Sequence, residues 1–220
     1  MMRRAQPALT VYVATLVLTS VWLLFIGEDA AESFLASQST TLVNLAADPV
    51  SVLISSAFWL AEPTQLLVLA AAVPLLAVAE RRLGTRKWLR TFVIGHVGAS
   101  LVVAAAVAGA IATGLLADTY ASGVDVGFSY GAAAVVAAAL PHSTPRQASV
   151  VRGVLVLALV LDVLVGGDLV TTGGHIVAAL IGHACASWGA GAALTREDWE
   201  PAALTEHHAP TTRELAAAGR

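Results

Sequence analysis

Charge is what this sequence has least of. Only 12% of its 220 residues are Asp, Glu, Lys or Arg, while 57% are apolar and the mean hydropathy is +0.77. Soluble domains carry about 25% charged residues, so a soluble enzyme is excluded. A basic surplus is lacking as well: 12 Lys and Arg stand against 15 Asp and Glu, a net charge of -3. No such chain neutralises a run of phosphates, which excludes nucleic acid as a partner. There is one cysteine, Cys185. It rules out an intrachain disulfide framework and a cysteine-rich metal site. His175 and His183 lie eight residues apart, a rotation of about 80° on a helix, so they need not share a face and no metal site is expected. No repeat of fixed period is visible, and nothing in the sequence asks for a cofactor.

What the chain has is apolar runs. A hydrocarbon core of about 30 Å needs roughly 20 apolar residues at 1.5 Å each, and the first run to meet this is 8–26, ALTVYVATLVLTSVWLLFI. It is longer than a signal-peptide core and no small-residue cleavage site follows, so it reads as a retained helix. Further spans fall at about 52–79, 91–116, 126–141, 151–167 and 173–194, the fourth being short. The expected fold is therefore all-α, a six-helix membrane bundle over 1–194 with a charged, Pro-punctuated cytoplasmic tail at 195–220. Lys and Arg collect on the cytoplasmic side of short loops. With both termini inside, all 12 basic residues fall on the inner face. The outer segments carry only acids: Glu28, Asp29, Glu32, Asp48, Glu62, Asp118, Asp125 and Asp168. The stretch 27–49 is too polar to span and is expected to lie on the membrane surface as a partly ordered insertion. A multi-pass protein of the plasma membrane, in contact with the lipid bilayer, is the expectation.

Ionisable groups inside a span are costly and are functional candidates by default. Asp162 falls in the fifth span, His96 in the third, and Glu80 closes the second, where it reads either as a solvated interfacial carboxylate or as a motif residue. The most informative pair is Ser129, just inside the fourth span, and His175, just inside the sixth. Both lie at a similar shallow depth below the outer surface. A serine becomes nucleophilic when a base within about 2.6–3.2 Å takes its proton. Two membrane helices approach closely only through small residues; Gly127, Gly131, Ala132 and Ala133 flank the serine, and Ala179, Gly182 and Ala186 continue the face of His175. The same residues also serve simple helix packing.

These residues resemble the rhomboid family over about 10–191. Gly127-Phe128-Ser129-Tyr130-Gly131 is similar to the family's Gly-x-Ser-Gly motif, with Tyr130 in place of the second glycine. His175 to Gly182 is similar to its His-x-x-Gly-x-x-x-Gly pattern, with Ala178 in place of the first glycine. PVSVLISSAFW at 49–59 and AERRLGTRKWL at 79–89, with Glu80, resemble the segments that enter and close the second helix. The resemblance implies a Ser129–His175 dyad, nucleophile and general base, hydrolysing a peptide bond of a transmembrane protein client without a cofactor. The family's two oxyanion donors in the second helix fall at Thr64 and Val68, so Thr64 is the candidate donor. Three functions follow: an intramembrane serine protease, a non-catalytic rhomboid-like protein that binds client helices, and a transporter using Asp162 and His175.

Overall fold

Pro7, whose fixed φ suits a first helical position, opens helix α1 (Pro7–Ile26). This computed structural model describes residues 6–164 and 168–187, and among them every regular element is helical. After α1 come α2 (Glu28–Gln38), α3 (Leu42–Ala47) and α4 (Pro49–Ser55), the last extended by a 3-10 turn at Ser56–Phe58. The long helices α5 (Gln65–Leu83) and α6 (Thr85–Ala112) meet at Gly84, whose φ of 76° only glycine adopts without strain. A 3-10 turn (Asp118–Ser122), α7 (Ser129–Ala139), another 3-10 turn (Leu140–His142), α8 (Pro145–Leu164) and α9 (Leu169–Ser187) complete the chain.

Three of these helices, α1, α6 and α9, are long and apolar enough to cross a membrane. Each overlaps an expected span, 8–26, 91–116 and 173–194, the last of which runs beyond the described residues; nine α-helices occur among the described residues rather than the six expected. The expected second span is corrected: 52–79 is not one helix but α4, its 3-10 turn, a break at 59–64 and then α5. Glu62 and Pro63 lie in that break, and Pro disfavours helical geometry in the residue before it. Helix α5 also ends in Glu80, Arg81 and Arg82. The expected fourth span shrinks to the 11 residues of α7, and α8 carries Arg146 and Arg152. The polar stretch 27–49 is ordered as α2 and α3. Trp22, Phe34 and Trp59 pin it in place, their ring centroids 4.6–5.8 Å apart. The tail from 195 lies outside the described residues.

The core is built around α7. Tyr130, Gly131, Ala132 and all of 134–139 are buried, packed by α6 and α5 and touched by α9 at Ala134. Beside it runs an aromatic group from α1, α6 and the 3-10 turn at Ser56–Phe58: Tyr12 lies 4.8 Å from Phe92 and 5.7 Å from Phe58, and Trp88 stacks on Phe92 at 5.3 Å. The end of the bundle at the α5–α6 junction holds Arg82 and Lys87. There Arg82 donates to Ser143 and Gln147, and Lys87 donates to the Ala186 carbonyl at the end of α9.

Glu80 belongs to the same end and corrects the reading of a solvated carboxylate. It is 2% exposed. Its two oxygens accept the backbone N–H groups of Ala8 (3.1 Å) and Leu9 (2.9 Å) and the Thr85 hydroxyl (2.8 Å). Gln6 gives α1 no side-chain cap, so a carboxylate from α5 satisfies first-turn donors that would otherwise be orphaned, and its charge opposes the positive end of the helix dipole. Glu80→Ala is expected to cost on the order of 2 kcal/mol by removing a cap and stranding buried donors. Glu80→Gln, which keeps an acceptor, is expected to cost less. Thermal unfolding of the purified protein in detergent distinguishes the two.

Candidate functional site

Ser129 is the first residue of α7. The turn before it is held from two sides. Gly127 has φ 143°, a region that side chains avoid, and its N–H donates to the Ser56 carbonyl at 2.9 Å. Ser56 is itself locked: its hydroxyl and His96 Nε2 are hydrogen-bonded at 3.0 Å, both residues buried. His96, expected in the third span, thus anchors the segment that positions the serine. This Ser–His pair, 40 residues apart in sequence, is not expected from the sequence, where the two residues carry no joint signal.

Ser129 is half-buried, and no hydrogen bond of its hydroxyl occurs among the described residues. Phe128 offers no side-chain cap to α7, so the N–H groups of its first turn lack intrahelical acceptors. His175 is half-buried in the second turn of α9. Its ring meets Tyr130, with centroids 5.2 Å apart and planes at 72°. The structure therefore brings His175 against the residue next to Ser129.

Small residues make this approach close, though on a different stripe from the expected one. The buried face of α9 is Gly174, Ala178, Gly182 and Cys185, rather than Ala179, Gly182 and Ala186, which puts His175 on its flank. A Cβ at Gly182 would collide with the Ala134 backbone, and one at Gly174 would come within 2.5–2.6 Å of the Tyr130 ring. Gly131 faces Phe92 in the same way, at 2.5 Å. Thr64 stands exposed just before α5, its hydroxyl donating to Glu62 at 3.1 Å; Val68 is exposed too. Among the described residues no group of three metal-ligating side chains occurs. His183 is exposed on α9, and the Asp162 side chain lies outside those described.

Close by is a cavity of about 80 Å³ whose lining includes Thr40, Tyr120, Asp125, Tyr130, Asp168 and Thr171. Neither Ser129 nor His175 lines it. Asp125 is fixed by Ser39 and Thr40, whose hydroxyls respectively accept its N–H and donate to its Oδ2. Burial pushes its carboxyl above the usual range, the Thr40 hydrogen bond opposes the shift, and the neighbouring Asp168 adds to it.

The rhomboid-like protein family model matches residues 1–194. The chain belongs to the rhomboid-like family. No curated protein and no solved structure matches it. The match covers every described element. It therefore includes the close α7–α9 contact and the Glu80 cap.

Proposed function

We propose that this rhomboid-like protein is an intramembrane serine protease that cleaves in or near a client's transmembrane segment. The observation that carries this reading is the α7–α9 contact, which sets His175 against Tyr130 while the adjacent Ser129 hydroxyl remains uncommitted. In the proposed mechanism His175 takes the Ser129 proton as Oγ attacks the scissile carbonyl and gives it to the leaving amine as the C–N bond breaks; water, deprotonated by His175, then releases the acyl group and Ser129 regains its proton. Catalytic hydrogen bonds tighten when substrate binds. With Thr64 turned to Glu62, the oxyanion falls to backbone N–H groups at the uncapped start of α7, aided by the helix dipole. Covalent labelling of Ser129 by a serine-directed phosphonate, dependent on His175, tests the proposal.

A second reading rests on a specific observation. It is Tyr130, the residue replacing the family's glycine, that occupies the space beside His175 and over Gly174. This favours a non-catalytic protein that binds client helices.

The same proposal takes α1, α5 with its preceding turn, α6, α7, α8 and α9 as six passes of the plasma membrane, both termini cytoplasmic. Its support is the charge asymmetry of the sequence. Single cysteines in a Cys185→Ser background, probed with a membrane-impermeant maleimide, are expected to react from outside at positions 37 and 121. Protection is expected at 85, 143 and 205. Labelling at 85 with protection at 121 overturns the orientation.

A further inference from the structure

The cavity beside Tyr130 combines two carboxyl groups, Asp125 and Asp168, with a buried hydroxyl. Asp125 commits Oδ2 to Thr40, and Asp168 commits Oδ1 to the N–H of Val170. Each keeps its other oxygen. Tyr130 is 4% exposed, and among the described residues its buried hydroxyl makes no hydrogen bond of ordinary geometry; burial without such a bond is costly. Among the described residues no Lys or Arg lines the cavity. Every lining residue comes from a stretch without Lys or Arg, and along α6 the nearest basic residue, Arg90, is about 20 Å from Val103 at 1.5 Å per residue.

We infer that this cavity binds a protonated amine, with Asp125, Asp168 and the Tyr130 hydroxyl as its three acceptors. An ammonium group carries three N–H donors and no acceptor, which matches that set in number and charge. Val103, Ala104 and Val107 line the same cavity and suit a methylene stem, as apolar surface does for lysine. Calcium is a poorer match, since it takes six to eight oxygens. The amine has two sources, a free alkylamine or a lysine at the end of a client's span. Only the lysine source rests on the client-binding function proposed above; the cavity itself does not.

The test is thermal unfolding of the full-length protein in detergent with n-butylammonium chloride, against sodium chloride, n-butanol and calcium chloride. A saturable rise in Tm with butylammonium alone is expected. Asp125→Asn and Asp168→Asn should each weaken it at least tenfold, and Tyr130→Phe should weaken it less. No rise above sodium chloride, a rise unaffected by Asp125→Asn, or a larger rise with calcium overturns the inference. An apolar helical peptide with one terminal lysine, compared with its norleucine form, then separates the sources. Weaker binding of the norleucine peptide assigns the amine to a client, and equal binding assigns it to a free amine. None of these readouts requires hydrolysis, so an inactive Ser129 leaves the result standing.

Discussion

Wild-type protein in proteoliposomes is expected to form a covalent adduct with a serine-directed phosphonate at Ser129, and Ser129→Ala to form none. His175→Ala should slow labelling by about 100- to 10,000-fold, the range that a positioned general base contributes. Both variants should unfold at the wild-type temperature, because neither residue belongs to the buried face of its helix. Tyr130→Gly carries the most information. The ring it removes lies against Gly174 and His175, so labelling should accelerate if that ring restricts access. An adduct that depends on His175 supports the protease. No adduct in wild type or in Tyr130→Gly, with unfolding intact, puts the client-binding reading first, since an unactivated serine forms no acyl-enzyme.

Among the described glycines, Gly182 is where an added methyl group is expected to disturb assembly most, because it meets backbone on three atoms. The new Cβ would meet the backbone of Ala134, including its carbonyl oxygen. No rotamer relieves that collision, so α9 must move away from α7. Overpacking of this kind costs about 1–3 kcal/mol. It also shifts His175, two turns away on the same helix. The expected outcome is a lowered Tm together with lost phosphonate labelling. Ala179→Gly, on a half-buried position of α9, should leave labelling within about twofold. Equal unfolding temperatures for Gly182→Ala and wild type would refute the close contact.

Long apolar periodicity made α1, α6 and α9 legible, because hydropathy over 20 residues is a strong signal. The break at 59–64 was legible in principle from Pro63, yet the apolar run on either side outweighed it. On α9 the choice between two stripes failed by one residue. Glycine and alanine occur on both, and a period of 3.6 does not say which stripe meets a neighbour when each is small enough. The role of Glu80 was visible as a motif but not as chemistry, since the two backbone N–H groups it caps lie more than 70 residues earlier. Ser56 and His96 gave no joint signal for the same reason: two polar residues on separate helices pair only once the helices are placed. Tyr130 was legible as an exception to a pattern, while the space it fills, over Gly174, required the coordinates.

Helix α7 has a consequence for how the chain is made. Its 11 residues extend about 16 Å, roughly half the hydrocarbon thickness, so it is too short to reside in lipid alone. Its alanine-rich surface is covered on several sides by α5, α6 and α9. Two of those covers precede it in synthesis; the third, α9, comes 30 residues after α7 ends. During biogenesis α7 is therefore sheltered first by α5 and α6, and the groove beside Ala134 stays open until α9 arrives. A nascent chain halted before residue 169 presents that open groove to the bilayer, which makes α9 the closing step of membrane integration.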